Sequence, residues 1–281
     1  MTMKTITKNE RPGMNRREAL GLLGAVGAGV GLVGSACGSS SSASNDSGVA
    51  TPDDGSLPAC IVTPEAVEGP FFVDEKLNRS DLVTGETDAG ITSGYPLTVG
   101  LALVGVNGQS CQPLSGAVVD IWHANVNGLY SDEPSNFVQS TDTQGKKYLR
   151  GYQLSGDSGL VTFKTIYPGW YATRTIHIHV KIRLYSPAGA KTLEANAQLY
   201  FTDAMNNAVM AVPAYAARGP RSIPKNTNDQ VYNGTGPGSG IDNVGLPPNQ
   251  VPPGDASVAM ASAFAPRSGS TASLTIGVKL A

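Results

Sequence analysis

The feature that most restricts this chain is a series of short apolar runs with a two-residue period, each closed by a turn residue. In "YPLTVGLALVGVNG" (residues 95–108) the side chains of Leu97, Val99, Leu101 and Leu103 recur at every second position. "SGAVVDIWHAN" repeats the pattern with Ala117, Val119 and Ile121, and "GLVTFKTI", "IHIHVKIRLY", "ANAQLYF" and "ASLTIGVKLA" follow. Successive side chains of a strand point to opposite faces, so this alternation suits strands with one face buried. The 34 glycines and 19 prolines stand between the runs as punctuation, where a chain reversing direction needs them. The pattern predicts an all-β fold, a β-sandwich with long loops and few short helices. Residues 203–217 ("DAMNNAVMAVPAYAA") read as a short helix interrupted by Pro213, and residues 218–256, rich in Pro, Gly and Asn, as a long loop wrapping the sandwich. A formal charge of −2 leaves no basic surplus for phosphate backbones, which argues against nucleic acid as a partner.

The first 37 residues have a different texture. Arg16 and Arg17 precede a Gly-rich apolar run and then small residues before Cys37. The run is too short to span a bilayer comfortably and has the flanks of an export signal; the adjacent arginines resemble a twin-arginine signal. Residues 1–37 are therefore read as signal, 38–58 as a flexible Ser/Gly-rich tether, and 59–281 as one domain. The expected location is exported: periplasmic, extracellular or at the cell surface. At "GSAC" two fates stand equally open, acylation of Cys37 with membrane anchoring, or ordinary cleavage after Ala36. If Cys37 is lipidated or removed, Cys60 and Cys111 remain as an even pair in an oxidising compartment, where a disulfide is the natural outcome; the alternative is two separately buried thiols.

The chain has three histidines, and two of them, His177 and His179, stand in "RTIHIHVK". On a strand they share one face while Ile176, Ile178 and Val180 point into the opposite layer. H-x-H alone is compatible with a solvated strand face. Its company is more informative: Tyr167, Tyr171 and Arg174 lie just upstream, and Tyr130 closes "WHANVNGLY" about fifty residues earlier. Paired carboxylates and cysteines are absent beside the histidines, which argues against a ferrous facial triad, structural zinc or blue copper. Two imidazoles and two phenolates make a hard, doubly anionic set suited to Fe(III); tyrosine ligation of ferric iron has a precedent in haem proteins.

The chain resembles the intradiol ring-cleavage dioxygenases, the family of catechol and protocatechuate dioxygenases, and more narrowly an exported branch of it. The resemblance runs through "TPEAVEGPFF", "LSGAVVDIWHANVNGLYSD", "YLRGYQLSGDSGLVTFKTIYPGWY", "RTIHIHVK" and "AQLYF", in order over roughly residues 60–205. It implies four ligands of a non-haem Fe(III): Tyr130, Tyr171, His177 and His179. Arg174 matches an arginine that steadies negative charge on bound substrate, and Gln198 a glutamine near the site. Tyr167 competes with Tyr171 for the axial place, Tyr171 being favoured by its position after Pro168-Gly169. His123 is expected to lie behind the ligands or partly exposed, and Trp122 and Trp170 either to wall the pocket or to be plain core.

By this resemblance the partners are a small aromatic diol and O2, and the product is a cis,cis-muconate-type diacid. The alternative is a non-catalytic exported β-sandwich that binds catechols or a different metal. "ATRTI" between Tyr171 and His177 is shorter than in protocatechuate enzymes, and the helical N-terminal region of catechol dioxygenases has no counterpart. Substrate size and oligomeric state therefore do not carry over.

Overall fold

The computed structural model describes residues 62–63, 65–219, 225–233, 260–261 and 269–280. The segments read from the sequence as signal and tether, Cys37, Cys60 and most of residues 218–256 lie outside them. Among the described residues nine strands build two sheets, and the helices are short.

In the first sheet β1 (Pro96–Asn107) is the hub. Along one edge it pairs antiparallel with β2 (Ser110–Pro113) and with β5 (Leu160–Ile166). Its other edge lies parallel to β9 (Ser270–Lys279), which in turn pairs with β8 (Met260–Ala261). The alternation read from the sequence is the burial observed. Leu97, Val99, Leu101 and Leu103 are buried, whereas Thr98, Gly100 and Ala102 reach the surface in part. β5 and β9 alternate in the same way, with Thr162, Lys164, Thr271, Ser273 and Thr275 in water. Cys111, on β2, is buried with Val104 and Val106.

The second sheet has the order β4 (Arg150–Leu154), β3 (Val118–Trp122), β6 (His177–Tyr185), β7 (Lys191–Tyr200), all antiparallel. Its inner face supplies Val119, Ile121, Ile178, Val180, Ile182 and Leu199 to a core shared with Leu97, Val99, Leu101, Phe163 and Ile276 of the first sheet. Each such side chain contributes about 1.5–3 kcal/mol by leaving water. The all-β sandwich expected from the sequence is the fold observed.

The helical stretch divides in two. α2 (Asp203–Met210) is capped by the Thr202 hydroxyl, which accepts from the Met205 amide at 3.2 Å. Pro213 then opens α3 (Pro213–Ala216) at its first turn, where a missing N–H costs nothing. The remaining helix, α1 (Ala89–Thr92), is a single turn.

The outer face of the second sheet is covered rather than wet. Residues 66–77 lie over it, tied by Ala66 N–H to Asn196 C=O (2.9 Å) and Tyr152 N–H to Leu77 C=O (2.8 Å). Directly opposite residues share a face in an antiparallel pair, so the register sets out rows across this surface. One row is Arg150, Trp122, His179 and Gln198; the next is Tyr152, Asp120, Lys181 and Asn196; at the other side of His179, His177 faces Tyr200. Cations on this covered face have carboxylate partners. Lys181 pairs with Glu68 and with Glu194, and Arg183 pairs with Asp120 (2.7 Å) and Asp74 (3.2 Å).

Candidate metal centre

His177 and His179 point from β6 onto the covered face and are 2% and 1% exposed. Tyr130 and Tyr171 come to them on two loops that dock backbone against backbone. The Asn125 carbonyl accepts from both the Gly128 and the Gly169 amide, at 2.8 and 3.1 Å. A Cβ at Gly128 would stand 2.1 Å from the Trp170 carbonyl oxygen, and one at Gly169 2.2 Å from that of Asn125. Glycine in "NGLY" and in "PGWY" is thus a condition for the two tyrosines to converge. Tyr130 is held further by Gln139, which bonds its amide through Oε1 (2.8 Å) and its carbonyl through Nε2 (3.2 Å), and by the Thr143 hydroxyl on the same carbonyl (2.6 Å).

The four polar ends meet. His179 Nε2 is 3.1 Å from Tyr130 Oη and 3.1 Å from His177 Nε2; His177 Nε2 is 3.0 Å from Tyr171 Oη, and the two phenolic oxygens are 3.5 Å apart. His177 Nδ1 donates to the Thr175 carbonyl at 2.7 Å, so its Nε2 presents a lone pair to the cluster. Among the described residues His179 Nδ1 is buried without a partner, leaving Nε2 as the ring's point of polar contact. The rings are held by stacking: Trp122 lies 4.8 Å above His179 at 9°, and Phe71 4.3 Å from Tyr130 at 22°.

Burial drives both imidazoles well below their usual pKa, reinforced at His177 by the Arg174 charge and at His179 by His177. Burial raises both phenols, Tyr130 the more strongly, while Arg174 pulls Tyr171 back down. Two neutral imidazoles, that of His177 with its lone pair directed inward, beside two phenols that cannot ionise without a counter-charge, fit a hard cation. Separations of 3.0–3.5 Å are those of neighbouring ligands each about 2.1 Å from one first-row metal ion. Among the described residues no three His, Cys, Asp or Glu side chains come together, so such a site depends on its phenols.

The other residues named from the sequence divide. Arg174 donates from Nη2 to Gln198 Oε1 at 2.6 Å, and Gln198 Nε2 donates to the Val67 carbonyl at 2.9 Å, so both stand at the edge of the cluster. Burial opposes the charge of Arg174, but Tyr171, Tyr200 and Asp229 more than restore it, and its pKa is raised. Tyr167 is not at the centre: its hydroxyl donates to Asn206 Oδ1 at 2.7 Å within the core. His123 is a correction to partial exposure. It is 1% exposed and faces the interior, bonded to the Ala124 carbonyl (2.9 Å) and the Thr165 hydroxyl (2.7 Å), because strand alternation turns it away from Trp122. Trp122 backs a histidine. Trp170 lies under the Arg218 guanidinium (4.3 Å) and, with Tyr171, Leu129 and Val138, lines a cavity of about 540 Å³.

Three contributors were not anticipated: Gln139, Tyr200 and Asp229. The Tyr200 hydroxyl donates to Gln198 Oε1 at 2.7 Å, and it could have been found, since it stands two residues from Gln198 on the same face. Asp229 accepts from Arg174 Nε at 2.8 Å from within a segment that had offered no motif.

Comparison with known proteins converges on one description. Residues 67–218 match a family model described as a dioxygenase. Over 114 residues the chain is 33% identical to catechol 1,2-dioxygenase 1 of Acinetobacter lwoffii, covering 39% of this chain and 32% of that protein. The match thus spans about a third of that curated relative's length. An intradiol ring-cleavage dioxygenase from Tetranychus urticae superposes with a TM-score of 0.59 at 24% identity, over 78% of this chain and 95% of that one. A second dioxygenase crystal structure matches with a TM-score of 0.58 at 26% identity and the same coverage.

Proposed function

The chain belongs to the intradiol ring-cleavage dioxygenase family, and from that premise we propose that it is a non-haem Fe(III) enzyme opening catechol-type diols with O2. The observation that carries this reading is the meeting of Tyr130, Tyr171, His177 and His179 at 3.0–3.5 Å, with the His177 lone pair directed inward. These four would hold the iron. Bound there, ferric iron would withdraw electron density from a coordinated diol and make its ring reactive toward O2.

The chain's own residues account for the rest. Tyr171, the partly exposed residue of the pair and the one that lines the cavity beside Trp170, is the one a substrate can reach, and its Oη as phenolate is a base for a substrate hydroxyl proton. Arg174, a permanent cation in a nearly dry site, stabilises the anionic diol. Phe71 and Trp122 pack Tyr130 and His179 against displacement and keep water from them. Both oxygen atoms of O2 enter the product, a muconate-type diacid, so no external reductant is needed.

The export reading belongs to the same proposal: signal 1–37, tether 38–58, and Cys37 either lipidated or removed. A Cys60–Cys111 disulfide belongs to the same reading, as the natural outcome for an even pair in an oxidising compartment. The deciding experiment is the visible spectrum of the purified mature protein, with iron analysis, before and after catechol is added without O2. A tyrosinate-to-iron band that shifts on addition is expected, followed by uptake of one O2 per diol once air is admitted. A protein still colourless after iron reconstitution overturns the ferric site; a spectral shift without oxygen uptake leaves a catechol-binding protein.

A further inference from the structure

Resting on that reading, we propose that Asp229 is a positioning residue, which aims Arg174 at the anionic substrate. Asp229 is fully buried, and both its oxygens are saturated. Oδ2 accepts from Arg174 Nε (2.8 Å) and from the Thr175 amide (2.7 Å); Oδ1 accepts from the amides of Val231 (2.8 Å) and Tyr232 (3.0 Å). A carboxylate without water is retained where it is hydrogen-bonded and has a counter-charge, and Arg174 is its ion-pair partner among the described residues.

The arginine's side of this contact is the informative one. Nε is taken by Asp229, and Nη2 by Gln198 Oε1 (2.6 Å) with Tyr200 Oη behind it (3.4 Å). A guanidinium is planar, so fixing two of its nitrogens fixes the plane and the direction of the third. Nη1 is the nitrogen that neither Asp229 nor Gln198 holds, and the guanidinium they orient reaches the Tyr171 phenol. The charge so held is close enough to Tyr171 to lower its phenol against the effect of burial.

The segment carrying Asp229 is anchored well enough to act as a fixed support. Asp229 follows a 3-10 turn (Asn226–Asn228). Asn226 donates from Nδ2 to the Phe201 carbonyl (2.7 Å) and accepts the Thr175 hydroxyl on Oδ1 (2.6 Å). Tyr232 meets Tyr200 edge to face at 5.0 Å. Residues 225–233 therefore grip both strand ends that bring Arg174 and Gln198 to the centre. Asp229 touches none of the four candidate ligands and acts through the arginine.

The test is an anaerobic catechol titration of the iron-loaded full chain, read from the visible band, for wild type, Asp229→Ala, Arg174→Ala and the double variant. We expect Asp229→Ala to weaken catechol binding about tenfold or more, with iron content and resting band unchanged, and to add nothing in the Arg174→Ala background. Equal losses in both backgrounds, or loss of iron, would make Asp229 merely structural and overturn the inference. Should Asp229→Ala not fold, Asp229→Asn keeps the shape without the charge, and wild-type affinity there overturns it equally. A readout independent of iron is the Arg174 Nε–H resonance of the iron-free protein, assigned by its absence in Arg174→Lys. It should exchange slowly in wild type and rapidly in Asp229→Asn; unchanged protection overturns the tether. Absence of the visible band in wild type would instead strike the ferric reading.

Discussion

The two sheets share a core but differ in their outer faces. That of the first is alternately Thr, Ser and Lys in contact with water, and substitution there has little to disturb. That of the second is built from His177, His179, Lys181, Arg183, Arg150 and Gln198, every one buried. The difference lies in what covers the sheet. Nothing among the described residues is laid over β5 and β9 to bury their outward side chains, whereas residues 66–77 and the two tyrosine loops close over β3, β6 and β7. A polar side chain at an alternating position is solvated in one sheet and committed to a partner in the other. A covered face costs free energy unless each polar group finds one; this surface meets most of that cost with ion pairs at one end and the candidate metal centre at the other. Trp122 Nε1, His179 Nδ1, Arg183 Nε and Asn196 Oδ1 have no partner among the described residues.

Substitutions can break the contrast. The largest effect is expected for His177→Ala or His179→Ala: bound iron and turnover should fall by more than about 100-fold, since even supporting residues of metal sites are worth 10–100-fold. Iron analysis and oxygen uptake check this, and a variant retaining both would remove these histidines from the site. Next is Arg150→Ala, in the same row as His179. Arg150 donates to the Phe71 carbonyl (2.6 Å) and to Ser131 Oγ (2.9 Å), tying the covering segment to the Tyr130 loop. Its loss should destabilise by about 3–5 kcal/mol, read from the urea midpoint; a change below ~1 kcal/mol would mean that the cover does not depend on it.

His123, on the inward side, supplies a pH dependence of defined sign. Burial lowers its pKa from 6.5 to about 4. Below pH 6.5 the unfolded chain takes up a proton that the folded chain refuses until about pH 4. Its contribution is therefore complete above the upper value and is lost as pH falls through the interval, by roughly 3 kcal/mol in total. Urea unfolding at pH 5 and pH 7 should show a smaller acid loss in His123→Gln than in wild type; equal slopes would refute the assignment. The smallest effect is expected on the wet face, where Thr162→Ala or Thr275→Ala should change stability by less than ~0.5 kcal/mol and leave iron content alone.

What the sequence disclosed follows the same division. Where alternation and burial coincide, as in β1, β5 and β9, the strand pattern was the structure. On β6 the pattern located the histidines on one face, and Tyr130, Tyr171 and Arg174 indicated that this face was not solvent. Register would have yielded Tyr200 as well, and alternation alone should have sent His123 inward, away from its neighbour Trp122. Asp229 and Gln139 were out of reach for another reason. Asp229 meets Arg174 across 55 positions, and Gln139 meets Tyr130 across a loop of 9. Both contacts depend on the path of irregular backbone, which leaves no period in the sequence.

The parallel pairing of β1 with β9 has a consequence for the order in which the molecule is made. Tyr95 and Ser270, bonded through their hydroxyls at 2.9 Å, are 175 positions apart, and β1 is aligned with β9 from Leu97↔Ser270 to Val106↔Lys279. At about 5–20 residues per second, synthesis leaves β1 waiting roughly 9–35 s for this partner. Throughout that time one long edge of the strand, rich in Leu and Val, is a template for any other extended chain. Closing a contact so distant is also slow in itself. The nascent protein is accordingly at its most vulnerable late in translation, when both sheets have most of their strands and the first still lacks the one that completes its centre.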